Sequence, residues 1–574
     1  MLAVVRSCQH LQKQIVIRPA GPDAQKGIQL VHSSDDGSGN LRLSFFSSEL
    51  RLRGEEPVVQ PHYAGPGSDV LCFNGEIFEG VNIKPHENDG SRLYEMLQAC
   101  ETLEQVRNCI GSIEGPYAFV FYQHASCRVF FARDPLGRRS LLIHRLNERN
   151  PHFLLTSVSI GPHPMYQVEE LDTTTISFLE LREFNGVEFT AQFASALKAI
   201  PRLPEGRSTC QYASASPLNR IFPDNPPRLQ SLDVIPDFLL TTVDDLISQL
   251  EKSVRLRVQN IPRIHHDKGP ASVAVLFSGG IDCTMIAFLA DRYVPSEEPI
   301  DLLNVAFENP RKIGAASKKR GKRTNVDRDE DGTTTSPDTS WLVPDRAAGL
   351  EETQELRKLC PTRRWNFVEI NVTYQEYQAA RETVEALMFP SRTVMDLSLA
   401  MALYFASRGQ GQVRSHPTAI PEPYTSPARV LLNGLGADEL FGGYARHRTT
   451  FNDGGWGSVL DELQLEIDRI PTRNLGRDDR VISSHGKETR HPFLSLSFLN
   501  FVAQLPVHHK MDPRLDTGVG DKMLLRLAVR KLGLIEASSR KKRAMQFGSH
   551  SARMEGGEND RRGDLLLSGL SQQS

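Results

Sequence analysis

Two short segments of this chain combine glycines and acids in a pattern that could hold a polyphosphate. The first is Ser278-Gly279-Gly280-Ile281-Asp282. It follows an apolar run at 273–277 that reads as a buried strand, and a helical pattern (Met285, Ile286, Phe288, Leu289) comes after it. Strand, glycine-rich turn and helix N-terminus together gather backbone N–H groups and the positive end of a helix dipole at one point. Glycine lets a phosphate approach that backbone closely. Asp282 sets a carboxylate where Mg²⁺ on the phosphate could bind. The turn lacks the GxxxxGK[ST] form of a P-loop. The second segment, residues 433–444 (NGLGADELFGGY), follows the apolar run 430–432. Gly434 and Gly436 again permit close approach, while Asp438 and Glu439 open a helix whose dipole favours acids. Alone, each segment also reads as an ordinary tight turn, and Asp438 as a helix-terminal acid. Side by side they say more, because open parallel sheets bind ligands at the carboxyl ends of adjacent strands. Asp282 and Asp438 would then flank one triphosphate and share Mg²⁺.

Such turns need a sheet to carry them. Strands and helices alternate from about residue 243: a helix at 243–256, strands at 302–307, 367–372 and 430–433, helices at 350–359, 374–387 and 397–407. This alternation predicts a parallel sheet with helices on both faces. The first 195 residues differ. Short apolar segments at 41–46, 70–73, 117–122, 129–132 and 153–158 are separated by turn residues, with one helix near 91–109, and read as β-rich. Residues 196–235 are rich in Pro and Ser without a steady period and read as a linker. The expected organisation is therefore 1–195, a linker at 196–235, a second domain at 236–553 and a disordered tail at 554–574. Residues 311–338 interrupt the second domain as a disordered insertion. Its basic run (Lys318, Lys319, Arg320, Lys322, Arg323) admits a nuclear-localisation reading.

The 574 residues suit two to four domains, with 39% hydrophobic and 24% charged residues, ordinary for a globular protein. A net charge of −3 gives no reason to invoke nucleic acid or a membrane, and no apolar run reaches the roughly 18 residues of a membrane span. The eight cysteines form no CxxC pair, which argues against a zinc site or a disulfide framework and for a reducing compartment, cytoplasm or nucleus.

Further segments make a resemblance specific. SGGID and GLGADELFGGY, in that order, resemble the synthetase domain of the asparagine synthetases. ETRHPFL (488–494) resembles that family's ExRxPFL segment, RNLGRDDR (473–480) its NLxRxDR segment, and GDKMLLR (520–526) its K-x-x-L-R helix. In the first half, CFNGEIF (72–78) and RDPLGRRSL (133–141) resemble the class II glutamine amidotransferase domain. The resemblance implies an α+β, Ntn-type amidotransferase domain with αββα layers, then an α/β parallel-sheet ATP pyrophosphatase domain. It implies an asparagine synthase that makes an acyl-adenylate of aspartate and amidates it with ammonia or glutamine-derived ammonia, using ATP and Mg²⁺, and a homodimer. ATP would meet Leu276, Ser278, Gly279, Gly280, Ile281, Asp282, Val305, Asn433 and Gly434. Asp282 and Asp438 would hold the metal and, with Lys542 and Arg543, serve catalysis. Asn74, Gly75, Glu76 and Asp89 would bind glutamine, with Asn74 and Gly75 as oxyanion donors.

The chain also departs from that family. The amidotransferase nucleophile is a Cys directly after the initiator Met, activated by its own amine. Residue 2 is Leu2, and the amine of Cys8 lies in a peptide bond. Either an alternative N-terminus or a dead glutaminase is expected. The RPAGPD segment (18–23) sits closer to the start than the family's RGPD. Leu50, with Arg51 alongside, stands where the family has a substrate-site Arg. Leu435 replaces a Glu that handles the ammonia proton, and an aliphatic chain is no base. Ala544 replaces the Lys of KxxF, with Lys542 and Arg543 close enough to compensate. These departures support a second expectation, a nucleotide-binding paralogue acting as regulator or scaffold.

Overall fold

The computed structural model describes residues 1–7, 22–33, 40–146, 150–184, 189–203, 210–262, 269–308, 341–416, 418–555 and 565–567. Cys8, Arg18, the insertion at 311–338 and nearly all of the tail lie outside them.

The first half is two antiparallel six-stranded sheets laid face to face. One runs in the order Glu169–Glu170, Leu142–His144, His152–Thr156, Leu2–Ser7, Asn40–Glu49, Ala24–Ser33. The other runs Leu197–Pro201, Thr175–Glu180, Arg128–Arg133, Tyr117–Gln123, Val70–Gly75, His62–Tyr63. Leu43, Phe45 and Phe153 of the first sheet pack on Cys72, Val120 and Phe131 of the second. Helices Asp89–Gln98 and Leu103–Gly111 cover the outer face of the second sheet, setting Leu93, Leu97, Val106 and Ile110 against Phe73, Phe119 and Phe121. Tyr117–Gln123 is buried at every position because both of its faces are covered. The single helix read near 91–109 is two helices. Thr102 ends the gap by accepting from the Gln105 N–H, and the Gln105 side chain returns the bond. The segment read as linker begins with Leu197–Pro201, an edge strand of the second sheet. Farther on it lies against the C-terminal helices, where Leu218 N–H donates to Gln464 and Asn219 N–H to the Ala503 carbonyl.

The second half is built on one seven-stranded sheet. Its order is Glu422–Thr425, Gln410–Val413, Trp365–Val372, Ile300–Phe307, Val273–Leu276, Val430–Leu432, Glu488–Arg490. The last five strands in that order are parallel. The first two are an antiparallel hairpin, so the sheet is mixed rather than wholly parallel. Gly409, at φ 68°, ends the helix Val394–Arg408 and turns the chain straight into this hairpin, a left-handed cap that glycine adopts without strain. Alternate residues of each strand enter two separate cores. Val273, Val275 and Leu302 pack with helices Asp237–Val258 and Ile281–Asp291, whereas Ala274, Leu303 and Val305 pack with Tyr374–Met388 and Val394–Arg408.

Buried ion pairs join the halves. Arg138 donates to Glu114 at 2.7 Å, to Asp134 at 2.9 Å and to the Leu494 carbonyl at 2.7 Å. Arg139 pairs with Asp479 at 2.8 Å and with Glu488, while Arg480 reaches back to Ser140 and Glu170. Among the described residues, no helix is long and apolar enough to cross a membrane.

Candidate functional site

The turn at 278–282 leaves the C-terminal end of Val273–Leu276, and residues 433–436 leave the end of its parallel neighbour Val430–Leu432. The two turns meet over a cavity of about 450 Å³. Leu276, Ser278, Gly280, Ile281, Asp282, Val305, Asn433, Gly434 and Asp438 all line it. Gly279 does not. Its φ is 73°, and a Cβ there would sit 2.3 Å from the backbone nitrogen of Gly349, so it is needed for packing on the helix Pro344–Leu359. Asn433 accepts the Leu435 N–H at 3.1 Å and holds the second turn open.

Lys522 stands at the centre. Its ammonium lies 2.8 and 2.7 Å from the two oxygens of Asp282 and 2.8 Å from Asp438. It occupies the left-handed region, φ 53°, immediately before the helix Met523–Lys531, and its own N–H donates to the Phe441 carbonyl. Lys542 takes the other oxygen of Asp438. Burial opposes charge on Lys522, Asp282 and Asp438, but the pairing outweighs it for two of them. Lys522 is pushed up against that burial by Asp282 and Asp438, and Asp438 is drawn down by Lys522 and Lys542. Asp282 goes up, through burial and through its like-charged neighbour Asp438, despite Lys522. Gly443 makes the cluster compact, since a Cβ there would meet Asp438 Oδ1 at 2.0 Å and Lys522 Cε at 2.5 Å.

Two carboxylates converging on one small cation suit a hard divalent ion, provided phosphate oxygens complete its shell. No group of three or more His, Cys, Asp or Glu able to hold a metal occurs among the described residues. Arg543 and Ala544 line the cavity with Lys541 and Lys542. Asp345 faces them, its carboxyl pushed up to about 7 by burial, against the pull of Arg543 and Lys542. Leu435 lies in the wall and packs on the hydrophobic core. Glu439, Tyr444, Arg473 and Arg477 also line the cavity; Arg477 is bound to Asp396 and to Asp478 at 2.7 Å.

A second cavity, about 110 Å³, lies between the halves. Met1, Leu50, Arg53, Asn74, Gly75, Glu76 and Asp89 line it from the first half, and Asp479, Ser483, Lys487 and Glu488 from the second. The Met1 ammonium donates to Ser157 at 3.0 Å, and burial lowers its proton affinity. Gly75 must be glycine here, because a Cβ would sit 2.3 Å from the Pro116 carbonyl. Asp89 accepts the N–H groups of Ile77 and Gly90 at 2.9 and 3.0 Å. Glu76 is held by Arg53 and by Arg490 at 3.2 Å, joining two motifs from opposite ends of the chain. Arg53, rather than Arg51, faces this cavity beside Leu50; Arg51 turns to the Gly54 carbonyl.

Sequence reasoning missed Lys522, although it had isolated the 520–526 segment that contains it. Nothing in a linear pattern says that this lysine crosses to two acids. It also missed Arg138, Arg139 and Arg490, each of which has a partner in the other half: the Leu494 carbonyl for Arg138, Asp479 and Glu488 for Arg139, and Glu76 for Arg490.

The two sheets of the first half and the α/β second half thus define an amidotransferase-type domain followed by a synthase-type domain. Residues 43–159 match the glutamine amidotransferase domain family and residues 450–574 the asparagine synthase family. The chain is 35% identical over 615 aligned residues to asparagine synthetase domain-containing protein 1 of Gallus gallus, covering 96% of this chain and 95% of that protein. It is 34% identical to the Homo sapiens protein of the same name, covering 94% and 91%. Similarity to asparagine synthetase [glutamine-hydrolyzing] 1 of Saccharomyces cerevisiae is weaker, 22% over 84% and 72%. The chain belongs to the family of asparagine synthetase domain-containing protein 1.

Proposed function

We propose that this chain is an ATP-dependent, asparagine synthase-like ligase of the cytoplasm. It adenylates the side-chain carboxylate of aspartate and amidates the product with ammonia, supplied directly or from glutamine. The observation that best supports this reading is the convergence of Asp282 and Asp438 on one cation above adjacent parallel strand ends. ATP would lie along the turn at 278–282, with Leu276 and Val305 beside the base and the Asn433–Gly434 backbone beside the ribose and phosphates. The acceptor carboxylate attacks the α-phosphorus, the bond to the β-phosphate oxygen breaks and pyrophosphate leaves. Ammonia then displaces AMP from the acyl carbon. Mg²⁺ held by Asp282 and Asp438 would neutralise the leaving pyrophosphate. The chain's own residues position and neutralise: Lys522, Lys542 and Arg543 present cations to the phosphates, and the apolar base pocket excludes water. In the smaller cavity Asn74 and Gly75 would donate to a glutamine oxyanion, with Asp89 and Glu76 on the amine side.

The test is pyrophosphate release by the full chain with ATP, Mg²⁺ and aspartate, supplying ammonium or glutamine. Release with both supports a complete amidotransferase, and release with ammonium alone supports the synthase half. Absence of release with either would overturn the reading. A second reading, a nucleotide-binding regulator or scaffold, draws on one observation, the aliphatic Leu435 in the cavity wall. It expects Asp282→Ala to leave the protein's cellular role intact.

A further inference from the structure

Two thiols that neither cavity uses meet in the helical layer over the second sheet of the first half. Cys100 lies just beyond the helix Asp89–Gln98, and Cys109 lies within the helix Leu103–Gly111. Both are reduced. Cys100 belongs to the apolar core of that layer, 7% exposed, and Cys109 packs on the same core from a half-buried position. The Cys109 thiol donates to the Cys100 sulfur, and the Cys100 thiol donates in turn to the Met96 carbonyl at 3.3 Å. The chain between them is held by the reciprocal bonds of Thr102 and Gln105, which fix the start of the second helix. The bond from Cys109 draws the Cys100 thiol below its ordinary value, and the same bond, with burial, pushes Cys109 up. Elsewhere burial raises the thiols, Cys72 and Cys283 to about 11 and Cys360 to about 12. Cys210 also approaches the second helix, but on another face. Its thiol donates to Asn108 Oδ1 at 3.4 Å, and a Cβ on Gly111 would sit 2.8 Å from its sulfur. Asn108 and Gly111 are three apart and share a face, whereas Cys109 is about 100° round the helix from Asn108.

We propose that Cys100 and Cys109 are a reversible redox pair, in which hydrogen peroxide oxidises Cys100 and Cys109 closes the disulfide. The Cys100 thiolate attacks one peroxide oxygen, the O–O bond breaks, and hydroxide leaves with the electron pair and is protonated to water. Cys100 is then a sulfenic acid. The Cys109 sulfur attacks the Cys100 sulfur, the S–O bond breaks, and the departing hydroxide takes the Cys109 proton and leaves as water. Two thiols and one peroxide thus give one disulfide and two waters; sulfur is oxidised and the peroxide oxygens are reduced. Thiolate character on one cysteine and a resolving thiol beside it are the features that make such a site selective, and a dithiol reductant restores it. In a reducing compartment the bond is transient rather than structural. It ties together the two helices of the layer, the first of which begins at Asp89 in the wall of the smaller cavity. The proposal does not depend on the ligase reading.

The reduced full chain is treated with a small excess of hydrogen peroxide, its remaining thiols are alkylated, and it is cut with trypsin without reduction. Cuts after Arg92, Arg107 and Arg128 place Cys100 in the peptide 93–107 and Cys109 in the peptide 108–128. The expected product is these two peptides joined, two hydrogens lighter than their sum, and separated again by dithiothreitol. The second peptide also holds Cys127, so Cys127→Ser should keep the link and Cys109→Ser should lose it. With no resolving thiol, Cys109→Ser should also leave a sulfenic acid on Cys100 that dimedone labels, whereas Cys100→Ser should leave Cys109 unlabelled. If peroxide leaves Cys100 and Cys109 open to alkylation, or joins either of them to Cys210, the proposal is overturned. Label on Cys109 in Cys100→Ser, with none on Cys100 in Cys109→Ser, overturns the assigned order of attack. The mapping of the native chain needs no variant, so a variant that fails to fold leaves that test standing.

Discussion

The two cavities are built from the same residue types and are held in opposite ways. Around the smaller one, acids and guanidiniums neutralise one another across the domain interface: Arg53 and Arg490 on Glu76, Arg139 on Asp479 and Glu488. These charges already have fixed partners, several of them in the opposite half, so the pocket's geometry depends on the two halves staying docked. Around the larger one, Asp282 and Asp438 sit on separate turns and share a lysine that is not part of either turn. A cationic ligand or a polyphosphate can compete for those partners without dismantling the sheet. The comparison shows how one fold can use buried charge to fix a boundary in one place and to keep a site responsive in another.

The sharpest way to break this contrast is to remove a carboxylate from the larger cavity. Asp282→Ala should lower pyrophosphate exchange by on the order of 10³-fold, the scale of losing a preorganised charge, with little change in the melting curve. The opposite experiment targets the boundary. Arg138→Met leaves Glu114 and Asp134 buried without their main partner, so unfolding in denaturant should be easier by about 3–5 kcal/mol, although Arg138 lines neither cavity. A subtler change is Gly443→Ala. The added methyl meets both Asp438 and Lys522, and a displacement of the order of 1 Å should lower exchange by about 10²-fold while the relative effectiveness of ammonium and glutamine as donors stays that of the native chain. The smallest expected effect is an acid dependence. Asp438 titrates below its ordinary value of 3.8 in the folded chain. Its ion pairs therefore contribute fully above that value and are lost as pH falls through the folded one. Melting temperatures of the native chain and Asp438→Asn should differ near pH 6, and the difference should shrink progressively as the pH falls below 3.8, whereas a constant difference would contradict the pairing.

Much of this was legible in the linear chain, for local reasons. The turn at 278–282 follows from an apolar run broken by two glycines, and the acid at its end follows from the dipole of the helix it opens. The mixed edge of the sheet was not legible, because the hairpin 410–425 carries no strong apolar alternation and is decided by pairing with Trp365–Val372. The reason for Gly279 was only partly visible. Its conformation could be read from the turn, but its contact is with a helix some seventy residues farther on (349 against 279).

The sequence by itself determined the strand-turn-helix units, the two glycine-acid turns and the division into a β-rich half and an α/β half. These depend on periodicity and on residue types within a few positions of one another, and such information survives in one dimension. Only the tertiary structure decided which cation lies between Asp282 and Asp438 and which arginine enters the smaller cavity. Those choices depend on distances across the sheet and across the domain boundary, and charge pairing in a buried site is settled by a few ångströms that no linear spacing encodes.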